Sequence, residues 1–302
     1  WRFYHHLVMT TQVNGNFDGD FPFRITFPIG QEARQLSPTP QLPRLRAGRG
    51  DNPLLTLPRV LARLGWALIG FVLYGLQLPA MLLRRPDWAA QLMTMACAVA
   101  LRALGIQVVV DDSQRSEEPD VPLVHIFNHR SPCDGIVIQG VLKLPGLTTA
   151  QLHLKWVLPG YAAAARNAGA AVLDHRQPQS RLEGMMGASA LLREHGEIMI
   201  APNGSLVTPI EQRVSSSAWL LARHHGGRLV PWVFRYDGMD EALGARYKPW
   251  LLLLSRLTAP LGTIHCRRGR SRDLNLPEDH LDRDGFTRAV QEYYRKELTA
   301  EH

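Results

Sequence analysis

Twenty consecutive residues without a charge, Leu64 to Leu83 (LGWALIGFVLYGLQLPAMLL), lie between Arg59 and Arg63 on one side and Arg84 and Arg85 on the other. As a helix rising about 1.5 Å per residue, such a run reaches roughly the 30 Å thickness of a bilayer core. Gly65, Gly70, Gly75, Gln77 and Pro79 interrupt it, so spanning is permitted but not required. A second uncharged stretch, Trp88 to Leu101, follows the helix-starting pair Pro86-Asp87 and is too short to cross a membrane. Together they predict a helical hairpin lying partly in one leaflet, with the flanking arginines reaching phosphates and Trp66 and Trp88 at the interface. A pair of buried helices in a soluble protein would share the pattern. Five uncharged turns with arginine at both flanks favour the membrane.

Composition narrows the rest of the chain. With 302 residues, 45% of them hydrophobic and 20% charged, there is enough apolar material for a full core, which excludes a disordered or collagen-like polymer. Cys97, Cys133 and Cys266 are odd in number and lack a C-x-x-C spacing, so free thiols in a reducing compartment are expected and no metal site is. The pairs His5-His6 and His224-His225 lack a third ligand and read as surface residues. Lys and Arg (34) exceed Asp and Glu (27), a net charge of +7, without a basic run or a nucleic-acid motif. An anionic membrane is therefore the expected partner, and nucleic acid is not. No cleaved secretory signal is expected. Residues 1–52, where a strand pair can form around Phe21 to Phe27 ahead of Pro38, Pro40 and Pro43, read as an extension and linker; residues 53–104 hold the membrane-associated hairpin.

From 105 to 302 short β-branched runs alternate with helical ones. Strands are expected at Ile106 to Val110, Pro122 to Phe127, Ala170 to Leu173, Ile198 to Ala201, Leu229 to Tyr236 and Thr263 to Arg267. Helices are expected at Gly135 to Leu144, Ser180 to His195, Ser215 to His225 and Gly285 to Leu298. The alternation predicts an α/β domain with a mainly parallel central sheet flanked by helices, whose ligands gather beyond the strand ends. The apolar run Trp250 to Leu254 reads as core or as the wall of an acyl tunnel.

Directly after the second strand stands NHRSPCDG, Asn128 to Gly135. His129 at a strand end can face a ligand, and Asp134 about one turn later can accept its other ring N–H. That acceptor fixes the tautomer and makes the free nitrogen a better base for a hydroxyl. The same residues also suit a helix cap beside a surface histidine, so both readings are open on spacing alone. Cys133 inside the segment reads as a small buried thiol.

A strand ending in Asn-His-x-x-x-x-Asp behind an amphipathic hairpin resembles the glycerolipid acyltransferase family, the bacterial 1-acylglycerol-3-phosphate acyltransferases and their relatives. The resemblance extends by order of elements over about residues 60 to 298 and is sharpest at His129 and Asp134. LHLKWVLPGYAAAARNAGAAVLDHR is similar to the family's basic, aromatic segment before a Gly-x-Ile-Phe-Ile-x-Arg block, with Lys155 at a basic position, Gly169 at the glycine and Arg176 one residue beyond the Arg position. IMIAPNGS resembles Phe-Pro-Glu-Gly-Thr-Arg-Ser, and Pro231 in LVPWVF resembles the family's Val-Pro-Val. Where the family has Glu-Gly-Thr-Arg this chain has Asn203-Gly204-Ser205-Leu206, so the acidic residue and the phosphate-binding Arg are both replaced.

The resemblance implies transfer of a fatty acyl group from acyl-CoA or acyl carrier protein to a hydroxyl or amine of a lysophospholipid or other lipid-like acceptor. It implies no cofactor beyond that co-substrate, and a place on the cytoplasmic face of a bacterial inner membrane. His129 would be the base and Asp134 its partner, with Asn128, Lys155, Arg176, Asn203, Gly204 and Ser205 around the substrate. Backbone N–H groups at the start of the next helix or near Gly204 would face the oxyanion. A weakened member acting as an acyl-chain or membrane scaffold, and a thioester hydrolase, are the two alternatives.

Overall fold

The computed structural model describes residues 53–302 apart from 84, 116–119, 150–160, 168, 174–177, 205–208, 239–255, 257–258, 277–281 and 300–302. The expected strand pair at 21–27, the His5-His6 pair and the apolar run at 250–254 lie outside the described residues.

Seven strands form one sheet in the order β1-β7-β6-β2-β5-β3-β4: β1 Ile106–Asp111, β2 Leu123–Phe127, β3 Gly146–Thr149, β4 Ala170–Leu173, β5 Glu197–Ile200, β6 Arg228–Asp237 and β7 Gly262–Arg268. Every neighbouring pair is parallel except β6 with β7. The sheet is thus mixed α/β and mostly parallel, as the alternation predicted. The strand β3 and the helix Tyr161–Asn167 were not anticipated. Gly146-Leu-Thr-Thr is too short to show a period, and the alanine-rich YAAAARN has no apolar stripe.

The helices in chain order are α1 Pro53–Gly75, α2 Gln77–Leu82, α3 Pro86–Ala103, α4 Asp134–Val137, α5 Tyr161–Asn167, α6 Pro178–His195, α7 Ser217–His224 and α8 Arg283–Thr299. A π-helical turn, Ile138–Leu142, prolongs α4. Alternate residues of the central strands serve opposite faces of the sheet. Val124 and Ile126 of β2 with Leu229 and Val233 of β6 pack under Ala188 and Leu192 of α6, Leu221 of α7 and Phe286 and Val290 of α8. Phe127, Trp232, Phe234 and Tyr236 point the other way, against Leu101 of α3 and Val137 and Ile138 of the α4 run.

The long apolar run breaks after Gly75, dividing α1 from α2. Leu57–Leu82 is long and apolar enough to cross a membrane. Leu61, Leu64, Leu68, Phe71, Leu78 and Leu82 are exposed along it, an apolar patch far beyond the scattered exposed residues normal for a soluble surface. The opposite side of α1 packs on α3: a Cβ on Gly70 would sit in ordinary contact with Val99 and the backbone of Ala96 and Ala100.

One expectation for the flanking arginines fails. Arg63 is buried and does not reach outward. Its Nη1 donates to the carbonyls of Arg256, at 2.5 Å, and Ala259, at 2.6 Å. Arg256, also buried, donates from Nη2 to the carbonyls of Gly105 and Pro260 at 3.2 and 2.8 Å. Gly105 lies under the Arg63 guanidinium with φ +62, where a Cβ would collide with it. The carbonyls of Leu104 and Gly105 at the α3–β1 junction take their donors from Arg256, and the Arg256 carbonyl in turn takes one from the Arg63 guanidinium brought in from α1. By contrast, Arg85 is exposed, stacked 4.2 Å over Trp88 and paired with Asp87.

Candidate active site

The side chains singled out in NHRSPCDG converge where β2 ends. Phe127 is the last strand residue, and the chain turns through residues 128–133 to start α4 at Asp134. Asp134 is completely buried. Its Oδ2 accepts from His129 Nδ1 at 2.8 Å and from the backbone N–H groups of Arg130 and Ser131, both at 3.0 Å. Its Oδ1 accepts the Tyr236 hydroxyl at 2.7 Å. Four donors around one buried carboxylate satisfy it as an anion. With Nδ1 given to Asp134, Nε2 is the imidazole nitrogen left to act as a base. The His129 side chain is 24% exposed, so the pair has a dry partner and an accessible one.

Tyr236 carried no signal in its own neighbourhood of the sequence. A signal did exist in strand alternation: Trp232, Phe234 and Tyr236 share one face of β6, and that face looks at α4.

Asn128, expected near the substrate, bonds within the sheet. It is fully buried; its Nδ2 donates to the Phe234 carbonyl and its Oδ1 accepts the Phe234 N–H, both at 2.8 Å. The amide therefore imitates one more rung between β2 and β6 at the point where β2 stops. Asn203, buried in the turn after β5, donates from Nδ2 to the His129 carbonyl at 2.9 Å. It supports the backbone of the histidine, because β5 is the neighbour of β2 on the other side. Gly204 adjoins it with φ +61, a turn conformation suited to glycine. Lys155, Arg176, Ser205 and Leu206 lie outside the described residues.

Several backbone N–H groups around the site already have partners. The N–H groups of Arg130 and Ser131 serve Asp134, those of Cys133 and Asp134 are bound to Ser131, and that of Gly204 to the Ala201 carbonyl. Cys133 is buried, and burial pushes its thiol up to about 11, which leaves it protonated and poorly nucleophilic. His225 bonds Ser189 at 2.8 Å, and no group of three metal-ligating side chains occurs among the described residues.

Residues 107–234 match the family model Acyltransferase. The fold is similar to the crystal structure of the 1-acyl-sn-glycerophosphate (LPA) acyltransferase PlsC from Thermotoga maritima, with a TM-score of 0.54 and 17% sequence identity over 82% of this chain and 100% of that one. No curated protein sequence matches significantly. The domain match covers the stretch that holds His129 and Asp134, and the shared fold is that of a glycerolipid acyltransferase.

Proposed function

We propose that the protein transfers a fatty acyl group from an acyl thioester, acyl-CoA or acyl carrier protein, to the hydroxyl of a lysophospholipid, using His129 as general base. The observation that carries this reading is the 2.8 Å bond from His129 Nδ1 to the buried Asp134 carboxylate inside the acyltransferase domain. Nε2 takes the proton of the acceptor hydroxyl as its oxygen attacks the thioester carbonyl. Asp134 stabilises the imidazolium so formed. Collapse of the tetrahedral adduct breaks the C–S bond, and the departing thiolate takes the proton back from Nε2. No covalent enzyme intermediate and no resident cofactor enter this scheme, because a thioester is already activated.

Two further observations support the setting. The exposed apolar face along Leu57–Leu82 suits attachment to a lipid surface, from which acceptor and product would exchange, and the cytoplasmic side of a bacterial inner membrane supplies both thioester donors. The fold neighbour acts, by its title, on 1-acyl-sn-glycerophosphate. The Asn203 to Leu206 block, without the family's Arg, leaves the acceptor wider than a phosphomonoester, so other lipid-like hydroxyls or amines belong to the class.

The test is acyl transfer by the purified protein from labelled acyl-CoA or acyl carrier protein to a panel of lysolipids. His129→Ala should fold normally and lose at least about 100-fold in rate. Retention of a tenth of the activity, or release of free fatty acid undiverted by any acceptor, rejects the reading.

A further inference from the structure

The ladder around β2 stops short of His129 on both flanks. Phe127 is the last residue in register with β6, opposite Trp232, and on the β5 side the register ends one residue earlier, at Ile126 opposite Ile200. A chain leaving a sheet loses the bonds that fixed its main chain. Two neutral amides take over here. Asn128 keeps the contact with β6 through the N–H and carbonyl of Phe234, and on the other flank Asn203 donates from Nδ2 to the His129 carbonyl at 2.9 Å. A carbonyl takes only a donor, so the Asn203 amide has its orientation forced.

Asn203 is itself firmly held. It is buried in a turn that the Gly204 N–H closes on the Ala201 carbonyl at 3.1 Å, and the neighbouring Pro202 carbonyl accepts the Ser215 N–H at 2.6 Å. The imidazole it serves is bounded by Asp134 on Nδ1 at 2.8 Å and by the edge-on ring of Phe127, 5.6 Å away between centroids. Asp134 takes its place from α4, so the dyad keeps its geometry only while the His129 main chain stays fixed against that helix, and β5 fixes it through Asn203. An ionised carboxylate has no proton to give a carbonyl. Asparagine at 203, where the related block carries an acid, therefore supplies a bond that the acid could not, and its Nδ2 is already spent on His129. We propose that Asn203 is a positioning residue for acyl transfer and not a ligand of the acceptor: it holds the His129 main chain so that Nδ1 stays on Asp134 and Nε2 stays directed at the acceptor hydroxyl. This role rests on the reading of His129 as the base.

Asn203→Ala, made in the full chain and studied in a non-ionic detergent, tests it by two readings. One is steady-state acyl transfer from acyl-CoA to the lysolipid that the parent protein acylates fastest. The other is proton NMR of protein labelled at histidine nitrogen, in which His129→Ala identifies the Nδ1–H resonance of the dyad by its disappearance. Asn203→Ala should lower kcat about ten-fold or more, with KM within about two-fold, because a base displaced by a fraction of an ångström loses rate and not affinity. The Nδ1–H resonance should move upfield and exchange faster with water. A raised KM with the resonance in place would make Asn203 an acceptor ligand and overturns the proposal. A lowered Tm with kcat and resonance both unchanged would make it purely structural and overturns it equally. Should Asn203→Ala fail to fold, Asn203→Leu fills the same volume without a donor and is judged by the same two readings. His129→Ala keeps the two failures apart: full activity in that variant rejects the base whatever Asn203 does, whereas an inactive His129→Ala beside an Asn203→Ala of parental kcat rejects the positioning role alone.

Discussion

Asp134 shows how much of the candidate site rests on one carboxylate. Three of its four donors come from residues 129–131, within five positions of it, and the fourth comes from Tyr236 on β6. The local three were legible in the sequence because a strand end followed by a helix start must place them close together. In the proposed reaction Tyr236 would act through Asp134, as a positioning residue. Tyr236→Phe removes one charge-assisted hydrogen bond, worth about 1.4 kcal/mol or ten-fold in rate. Steady-state kinetics should show kcat lowered by about that factor, KM within two-fold, and the limb of the kcat–pH profile governed by the dyad displaced. A kcat equal to that of the parent would restrict the hydroxyl to stability.

Among elements, the contact between α3 and the π-helical turn governs how the hairpin meets the domain. A Cβ on Gly140 would come within 2.7 Å of the Ala98 nitrogen and 3.0 Å of Cys97. Backbone cannot yield as a flexible side chain can, so Gly140→Val should destabilise by about 1–3 kcal/mol, seen as a lower Tm. Gly135→Ala, where nothing lies within 4 Å, is the control and should leave Tm nearly unchanged. The hairpin was expected from its two uncharged runs. Its inward-facing Arg63 was not, because hydropathy along one helix does not reveal that carbonyls of Arg256 and Ala259, nearly two hundred residues on, need donors.

Across the whole molecule, acid should act through the sheet interior. His125 is fully buried in β2; Trp232 Nε1 donates to its Nδ1 at 3.1 Å, and its Nε2 lies 3.2 Å from Glu197. Burial holds the imidazole below its ordinary value, while the bond to His125 holds the Glu197 carboxyl below its own. Between the folded value of His125 and roughly 6.5, the unfolded chain binds the extra proton, so stability falls as pH drops through that interval, by at most about 1.4 kcal/mol per pH unit for this group. Glu197 adds the same sign at lower pH, as its unfolded form protonates first near the ordinary carboxylate range. Thermal melts from pH 7.5 to 5.5 should show a falling Tm, with a shallower slope in His125→Gln. A flat profile in the parent protein would refute the buried neutral imidazole.

What the amino-acid order determined by itself is what short-range chemistry controls. The alternation of β-branched and helical runs specified most strands and helices, and the spacing of His129 and Asp134 put an imidazole and its carboxylate partner at one strand end. The uncharged Leu64 to Leu83 run likewise specified an apolar helix, since its composition holds wherever the helix packs. Only the tertiary structure decided that Tyr236 meets Asp134, that Asn128 clamps β6, that Arg63 turns inward and that Arg268 pairs with Asp112. Each joins residues far apart in the chain. Their pairing follows from strand order and from the demand that every buried polar group find a partner, and neither is encoded within any single segment.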